Sequence, residues 1–512
     1  HAACSDNDPA NGDTVLCGPD DPNPDENGVG GGAGNTDVTV DIRSGAILGN
    51  GNLAGRETIY LGTGAIITSE AGSTVRGGIR IDGDNGNLNL SGDVTSQADN
   101  LVASIYTNGV GNRLTLGAAA TVTADGAGVD GIRMGGYDFE ADISGTVTVS
   151  GPNAAAVRLV RDQASRRASA IVRSGGSLIS TDASSFAFVG AGNGPGLLVE
   201  AGATVESPGT AVYFEQGGSL TVRGRVVGES GIAALFDGAS FANVTLGTGW
   251  DVVGQVVAGS YDSDVLGYNV EPGEQDRFDL GLFGTQFVGF ERFFASGSGT
   301  LTLSGTAVVE RAIAVFTDHV ILDGADLSGA PLTFEVGSYQ GLGGNGRLGN
   351  TVFSGDINPG VASGDFGLIR FGDLTINPGS RLNVDIGSAT ERDQLAVAGA
   401  LDIGELYIRL KPVGGFGDSE NPFSTVIIDN DGTDAITGTV GYIEEDFAFL
   451  NVMADLTGGD GNDLALNFVP IPVGDPNVMN GCSPAAANNV VLVCRGTIVA
   501  ETGDNGYGNM PT

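Results

Sequence analysis

Basic nitrogen is almost absent outside arginine: lysine occurs once, at Lys411, and histidine twice, at His1 and His319. No basic run exists, and 23 lysines and arginines face 62 carboxylates, for a formal net charge of −39. Phosphate-rich partners are repelled by such a surface rather than bound through counterion release, so nucleic acid and anionic membranes are excluded as partners. The scarcity of histidine and lysine also removes the usual base for a serine nucleophile. There is no Gly-x-Ser-x-Gly elbow at a strand-to-helix junction and no phosphate loop. No stretch approaches the roughly 18 to 20 uncharged apolar residues that cross a bilayer, so no membrane insertion is expected. The start, His1-Ala2-Ala3, has neither a charged n-region nor an apolar h-region, and its small residues fit a signal peptide already removed. Aromatic residues make up only 6 %, with one tryptophan, Trp250.

Glycine, in contrast, fills 87 of 512 positions, against a usual share near ~7 %. That density excludes a helical architecture, while a hydrophobic fraction of 41 % is too high for a disordered acidic chain. The chain can bury a core.

Four cysteines form two close pairs, Cys4 with Cys17 and Cys482 with Cys494. Three connectivities are open, and pairs so far apart in sequence close most simply within themselves. Zinc is the rival reading; its ligand spacing is usually shorter, and no histidine stands near either pair. Local disulfides place the chain in an oxidising compartment. The two pairs also resemble each other. Cys4-Ser5 and Val15-Leu16-Cys17-Gly18 return as Cys482-Ser483 and Val491-Leu492-Val493-Cys494-Arg495-Gly496.

From Val38 to Val469 one phrase recurs: an alternating strand, a glycine corner and another strand. It stands at Val40-Asp41-Ile42-Arg43-Ser44-Gly45-Ala46-Ile47-Leu48, and again at Ile171-Val172-Arg173-Ser174-Gly175-Gly176-Ser177-Leu178-Ile179. Alternate apolar residues face one way, and glycine supplies the positive φ of the corner. Copies come at irregular intervals of about 15 to 25 residues, as in a solenoid with variable loops. A set of β-sandwiches is the alternative; few aromatics and the lack of any linker before residue 470 weigh against it. At ~20 residues per coil and ~4.8 Å between coils, residues 38–469 predict about 21 coils and roughly 100 Å. Residues 1–37 then form a disulfide-pinned cap or lead-in, and 470–512 a Pro-rich linker with a second cysteine module. Phenylalanine is dense at Phe278, Phe283, Phe287, Phe290, Phe293 and Phe294, which predicts a widened core section there.

Phe278-Asp279-Leu280-Gly281 through Phe290-Glu291-Arg292-Phe293, followed by Gly297-Ser298-Gly299-Thr300-Leu301-Thr302-Leu303-Ser304-Gly305-Thr306, resembles a phrase of autotransporter (type V secretion) passenger domains. Ile357-Asn358-Pro359-Gly360, Leu374-Thr375-Ile376-Asn377-Pro378-Gly379 and Asp393-Gln394-Leu395-Ala396-Val397-Ala398-Gly399 are similar to that family's late coils. The resemblance implies a right-handed parallel β-helix exported to the bacterial surface, with late coils, from about residue 278, acting as a folding nucleus. The chain departs from the pattern after Pro470: the long amphipathic strands of a membrane barrel are replaced by the second cysteine module.

Chemical motifs are sparse. Gly458-Gly459-Asp460-Gly461-Asn462-Asp463-Leu464 matches the calcium nonapeptide of RTX β-rolls, making Asp460 and Asp463 the candidate calcium ligands. A single copy lacks the neighbouring turn that completes the cage, so an acidic hairpin turn is the reading taken. Asp82-Gly83-Asp84-Asn85-Gly86 reads as a solvated acidic corner, and Arg158, Arg161, Asp162, Arg166 and Arg167 as a solvated loop. His319 cannot pair with Asp318 on a strand, because adjacent residues face opposite sides. No catalytic or cofactor-binding constellation emerges. The expectation is a non-enzymatic, extracellular or cell-surface β-solenoid of structural or adhesin-like role, with a glycan or cell-surface ligand, self-assembling head-to-tail through its C-terminal module or capped as a monomer. A carbohydrate-active β-helix enzyme, a polysaccharide lyase or hydrolase, is the alternative.

Overall fold

Short alternating strands separated by glycine bury their apolar side chains by pairing with the strand one turn before and one turn after. The computed structural model of the chain is built in this way. Some 60 % of it is strand, stacked in parallel as a β-solenoid. Its helical content among the described residues is the 3-10 turn Leu280–Leu282. The structure describes the chain outside residues 1–3, 21–24, 50–56, 97–100, 163–166, 193, 239, 317–318, 330–331, 335–340, 363, 415–421, 432–433, 446, 448–449, 471–481, 485–491 and 495–512, with backbone alone at 311–316, 332–334, 482–484 and 492–494.

The chain falls into two compact units, His1–Gly341 and Leu342–Thr512. In the first unit a coil contributes three strands, so three parallel stacks form. The first stack begins Thr14–Cys17, Thr39–Ile42, Ile66–Ser69. The second begins Ile47–Leu48, Thr74–Arg76, Asp93–Ser96. The third begins Val29–Gly30, Ile59–Leu61, Ile79–Asp82, Ala103–Val110. Register holds from coil to coil: Ile59, Ile79, Ile105 and Ile132 are successive partners in the third stack and all are fully buried. Slipping one strand by a residue would turn its whole apolar row outward, which is what fixes the register.

Coils are longer than the recurring phrase suggests. Register partners Asp41 and Thr68, and likewise Arg113 and Glu140, are 27 residues apart, since a coil needs three strands and their corners. The solenoid therefore has about 14 turns rather than about 21. In the first unit the first stack's ladder runs from Val15 to Leu332, which at ~4.8 Å per turn spans roughly 60 Å. Close approach at the corners explains much of the glycine. Gly136 has φ +103°, and a Cβ there would lie 2.2 Å from the Gly109 carbonyl oxygen, so only glycine lets these coils stack.

The N-terminal module covers the open edge of the first coil. Cys4 is bonded to Cys17; Ser5 donates its N–H to the Leu16 carbonyl at 2.8 Å, and Leu16 donates to Ser5 Oγ at 2.9 Å. Cys4 N–H reaches buried Asp25 at 3.1 Å, and Gly30 N–H reaches the Asn7 carbonyl at 3.0 Å. Edge groups that would otherwise pair with another chain are thereby occupied. Replacing both Cys4 and Cys17 by serine is expected to cost the first coils about 3 kcal/mol. Amide exchange should then rise at Val15 and Val40 and stay unchanged at Ile132; no local rise would mean that the hydrogen bonds alone hold the cap.

At the other module the backbone of Cys482 lies directly opposite Cys494, and Ser483 opposite Val493, in an antiparallel pair; the side chains on which the second disulfide depends lie outside the described residues. In the second unit, parallel pairs such as Leu374–Ile376 on Thr351–Phe353 give way to an antiparallel closure. Strand Leu450–Gly458 turns back as Asp463–Pro470, which also pairs antiparallel with Phe423–Asn430.

The phenylalanine-dense segment is a core section, as expected. Phe278, Phe287, Phe290 and Phe293 are buried. Phe278 sits at their centre, with ring centroids 5.8 Å from Phe293, 6.1 Å from Phe287 and 6.5 Å from Trp250.

Candidate functional site

The outward face of the third stack gathers the most chemically distinctive side chains of the first unit. Successive register partners there are Tyr60, Arg80, Tyr106, Arg133 and Arg158. They face outward because each is next to an inward isoleucine or valine of the core ladder. Arg80 is held between two rings, its guanidinium carbon 5.3 Å from the Tyr60 centroid and 4.9 Å from that of Tyr106. It also bonds Asp82 at 2.7 Å and Glu57 at 3.2 Å. Burial works against the Arg80 cation, but these carboxylates outweigh it and keep the group charged beyond its ordinary range. Tyr60 donates to Asp82 at 3.0 Å, and burial followed by the Asp82 carboxylate raises its pKa.

Further along, Asp130 is 1 % exposed and accepts from Arg158 Nε at 2.8 Å and Ala155 N–H at 2.8 Å, with Arg133 Nη1 at 3.6 Å. Burial pushes its carboxyl above the usual range, against the pull of Arg158. Arg158 also stands 4.0 Å from Glu215. Beyond it Tyr213 stacks on Phe186 at 5.1 Å and donates to Asp237 at 3.0 Å.

Two sequence expectations need correction here. Asp82 and Asp84 are not merely solvated corner residues: Asp82 anchors Arg80 and Tyr60, and Asp84 accepts the Val110 N–H at 2.8 Å. Arg158 and Arg161 do not lie in a loop but in strand Ala155–Arg161, where a coil-to-coil partner is within reach. Arg161 donates to the Gly194 carbonyl at 2.6 Å. Arg167 is exposed, and Arg166 lies outside the described residues. Arg80, Arg133 and the tyrosines escaped the sequence reading because they are scattered over nearly a hundred residues, and only the coil length brings them into one row.

The calcium candidates separate. Asp460 is exposed on the hairpin turn, where Gly461 N–H bonds the Gly458 carbonyl at 2.9 Å. Asp463 is buried and accepts the Asn430 N–H at 2.8 Å, tying the hairpin to the neighbouring strand. Burial, and then the charges of Asp431, Asp463 and Asp460, raise the pKa of nearby Asp429. No group of three metal-ligating side chains is arranged to hold an ion among the described residues, and the local geometry is that of an acidic hairpin turn. His319 is exposed at the start of its strand, opposite Thr300; Asp318 lies outside the described residues. No protein-family model matches the chain, and no curated protein sequence matches it.

Proposed function

We propose that the chain is a non-enzymatic, extracellular β-solenoid with a structural and adhesin-like role at a bacterial surface, related to autotransporter passengers. The observation that carries this reading is the parallel register kept coil on coil from Val15 to Leu332, the geometry of a stiff spacer that displays its outward rows. Its polar rows are largely paired within themselves: Arg173 bridges Asp142 and Glu200, and Arg43 bridges Asp41 and Glu70. Such pairing suits a surface that presents itself rather than one that moves protons. A carbohydrate-active enzyme remains the competing reading, and release of reducing ends from acidic or neutral polysaccharides would overturn the non-enzymatic one.

Head-to-tail assembly is the second reading, and one observation favours it. Cys482 opposes Cys494 as Cys4 opposes Cys17, and Ser483 opposes Val493 as Ser5 bonds Leu16. A module with the local pairing of the first cap can sit on the edge that cap protects in another copy. Electron microscopy of the chain with and without residues 478–512 tests this. Filaments that vanish on truncation support assembly, and isolated particles in both samples leave a capped monomer.

A further inference from the structure

We infer that the outward strip from Tyr213 to Val288, with the exposed ring pair Phe241 and Tyr261 at the corner that follows it, is a binding site for a neutral glycan. This deepens the adhesin-like reading and rests on it.

The rings are the first observation. Among the described residues the strongly exposed aromatic side chains are Phe241 at 43 %, Tyr261 at 44 % and Tyr442 at 53 %. Two of these three touch: Phe241 and Tyr261, from successive coils, meet edge to face with centroids 6.1 Å apart. Apolar side chains scattered singly over a surface need no explanation, whereas a contiguous group marks a place where something settles. The backbone under the pair is fixed. Gly218 donates its N–H to the Phe241 carbonyl at 3.2 Å, and Ser260, next to Tyr261, donates to the Gly238 carbonyl at 3.1 Å. A Cβ at Gly217, where φ is +78°, would lie 2.6 Å from the Phe241 carbonyl oxygen, so glycine is what lets the corner pass this close. Rings held in place before a ligand arrives add little ordering cost to binding.

The strip is the second. Beyond Arg158 the outward register partners of the third stack are Val189, Tyr213, Leu235, Val257 and Val288, with no further cation among them. The last four are half-buried, an apolar strip four coils long on a face where alternation places polar groups. Carboxylates border it. Glu215 and Asp237 stand two residues after Tyr213 and Leu235, Asp262 directly follows Tyr261, and all three are exposed. An ionised carboxylate accepts hydrogen bonds and donates none, so this border takes hydroxyl donors and repels anions. A basic peptide meets the same carboxylates, but Glu215 already faces Arg158 at 4.0 Å and Asp237 already holds the Tyr213 hydroxyl at 3.0 Å, which favours a neutral partner. Rings and apolar side chains suit the C–H faces of pyranose sugars, and the carboxylates suit their hydroxyl edges. The strip rises one coil, ~4.8 Å, per residue, close to the interval at which pyranose units repeat along an extended glycan.

The test uses the full chain and immobilised dextran, mannan and hydroxyethyl cellulose, with polygalacturonate as the anionic control and an amphipathic lysine/leucine peptide as the basic one. At least one of the neutral polymers is expected to bind, with an affinity unchanged as salt rises. Phe241→Ala and Tyr261→Ala should each weaken that binding about tenfold, the loss of one stacking contact, with an unchanged thermal midpoint because both rings are exposed. Tyr261→Phe, which keeps the ring, should retain it, and Tyr442→Ala, which removes the exposed ring of the second unit, should leave it intact. No binding of any neutral polymer, full binding by both alanine variants, equal loss in Tyr442→Ala, or equal binding of polygalacturonate would each overturn the site. So would peptide binding that the two alanine variants abolish while no glycan binds, which would assign the strip to a protein partner. Adhesion of the intact protein to cells, measured with the same variants, judges the adhesin-like reading separately. Adhesion that survives Phe241→Ala and Tyr261→Ala leaves that reading standing without this site, and a wild type that binds glycan without adhering to cells keeps the site and loses the reading.

Discussion

Replacing Phe278 with alanine is expected to destabilise the first unit by about 3 to 5 kcal/mol, the cost of emptying a large aromatic site that cannot collapse. The ring is 1 % exposed and lies between Tyr268 at 5.4 Å, Phe283 at 6.2 Å and the stacked Phe293. Tyr268 lies in the same coil and Phe293 in the next, on strands paired in one parallel ladder, so they cannot close over the void without breaking register. Trp250 is the chain's one tryptophan. It touches this cluster and donates its indole N–H to the buried Tyr268 hydroxyl at 3.1 Å. Its fluorescence therefore reports unfolding at the site itself, in a denaturant titration of wild type against Phe278→Ala. The half-buried Phe283 supplies the contrast: its alanine variant should lose distinctly less. A Phe278→Ala effect below about 1 kcal/mol would mean that the section is loosely packed and that the ring is not its wedge.

The second large effect is one of pH, centred on Asp393 in the second unit. Its side chain is 2 % exposed and accepts the N–H groups of Gly367 and Asp385, both at 2.8 Å. Burial raises its pKa to about 7; the two N–H groups pull it down, and the adjacent Asp385 carboxylate adds to the rise. An unfolded aspartate titrates near 3.9. Between those values the native state holds a proton that the unfolded chain has released. Stability is therefore highest near and below pH 4 and falls as pH rises toward 7, after which this contribution is flat. The full difference is on the order of 4 kcal/mol. Asp429, raised by burial and by neighbouring carboxylates, acts in the same sense.

Denaturant titrations at pH 4.5 and pH 8, followed by a probe in the second unit, should show the acidic sample to be the more stable. Asp393→Asn should flatten the dependence. It should also be weaker than wild type at pH 4.5, because its amide can accept from one of the two N–H groups while presenting a donor to the other. A second unit that gains stability between pH 4.5 and pH 8 would show that Asp393 is ionised in the native state.

The repeat was legible because its cause is local. Alternation at Val40 to Ile42 or Ile171 to Val172 dictates a strand, Gly45 and Gly175 dictate corners with φ of +81° and +82°, and a chain of such units buries its apolar rows only by stacking. The core role of the phenylalanines was legible for the same reason: density of large apolar rings has few uses in a chain that is otherwise small and polar. The Cys4–Cys17 bond was legible from proximity in sequence, with the same outcome in the fold.

Coil length was not legible, since corners and loops of unequal size carry no periodic signal; the strand–corner–strand phrase covers less than a coil, and counting phrases overstates the turns. Every statement about which outward residue stands beside which depends on that length. Arg80 meets Tyr60 and Tyr106, and Arg133 meets Arg158, because coils of differing length bring them to the same register position. Asp82 and Asp84 look like free acidic residues in one dimension for the same reason: their partners Tyr60 and Val110 lie a coil or so away. Side-chain identity thus settled the fold class, charge and core composition. The outward rows and their ion pairing exist only once parallel hydrogen bonding has set each coil against the next, because contact across a solenoid is made by register and not by neighbourhood in the chain.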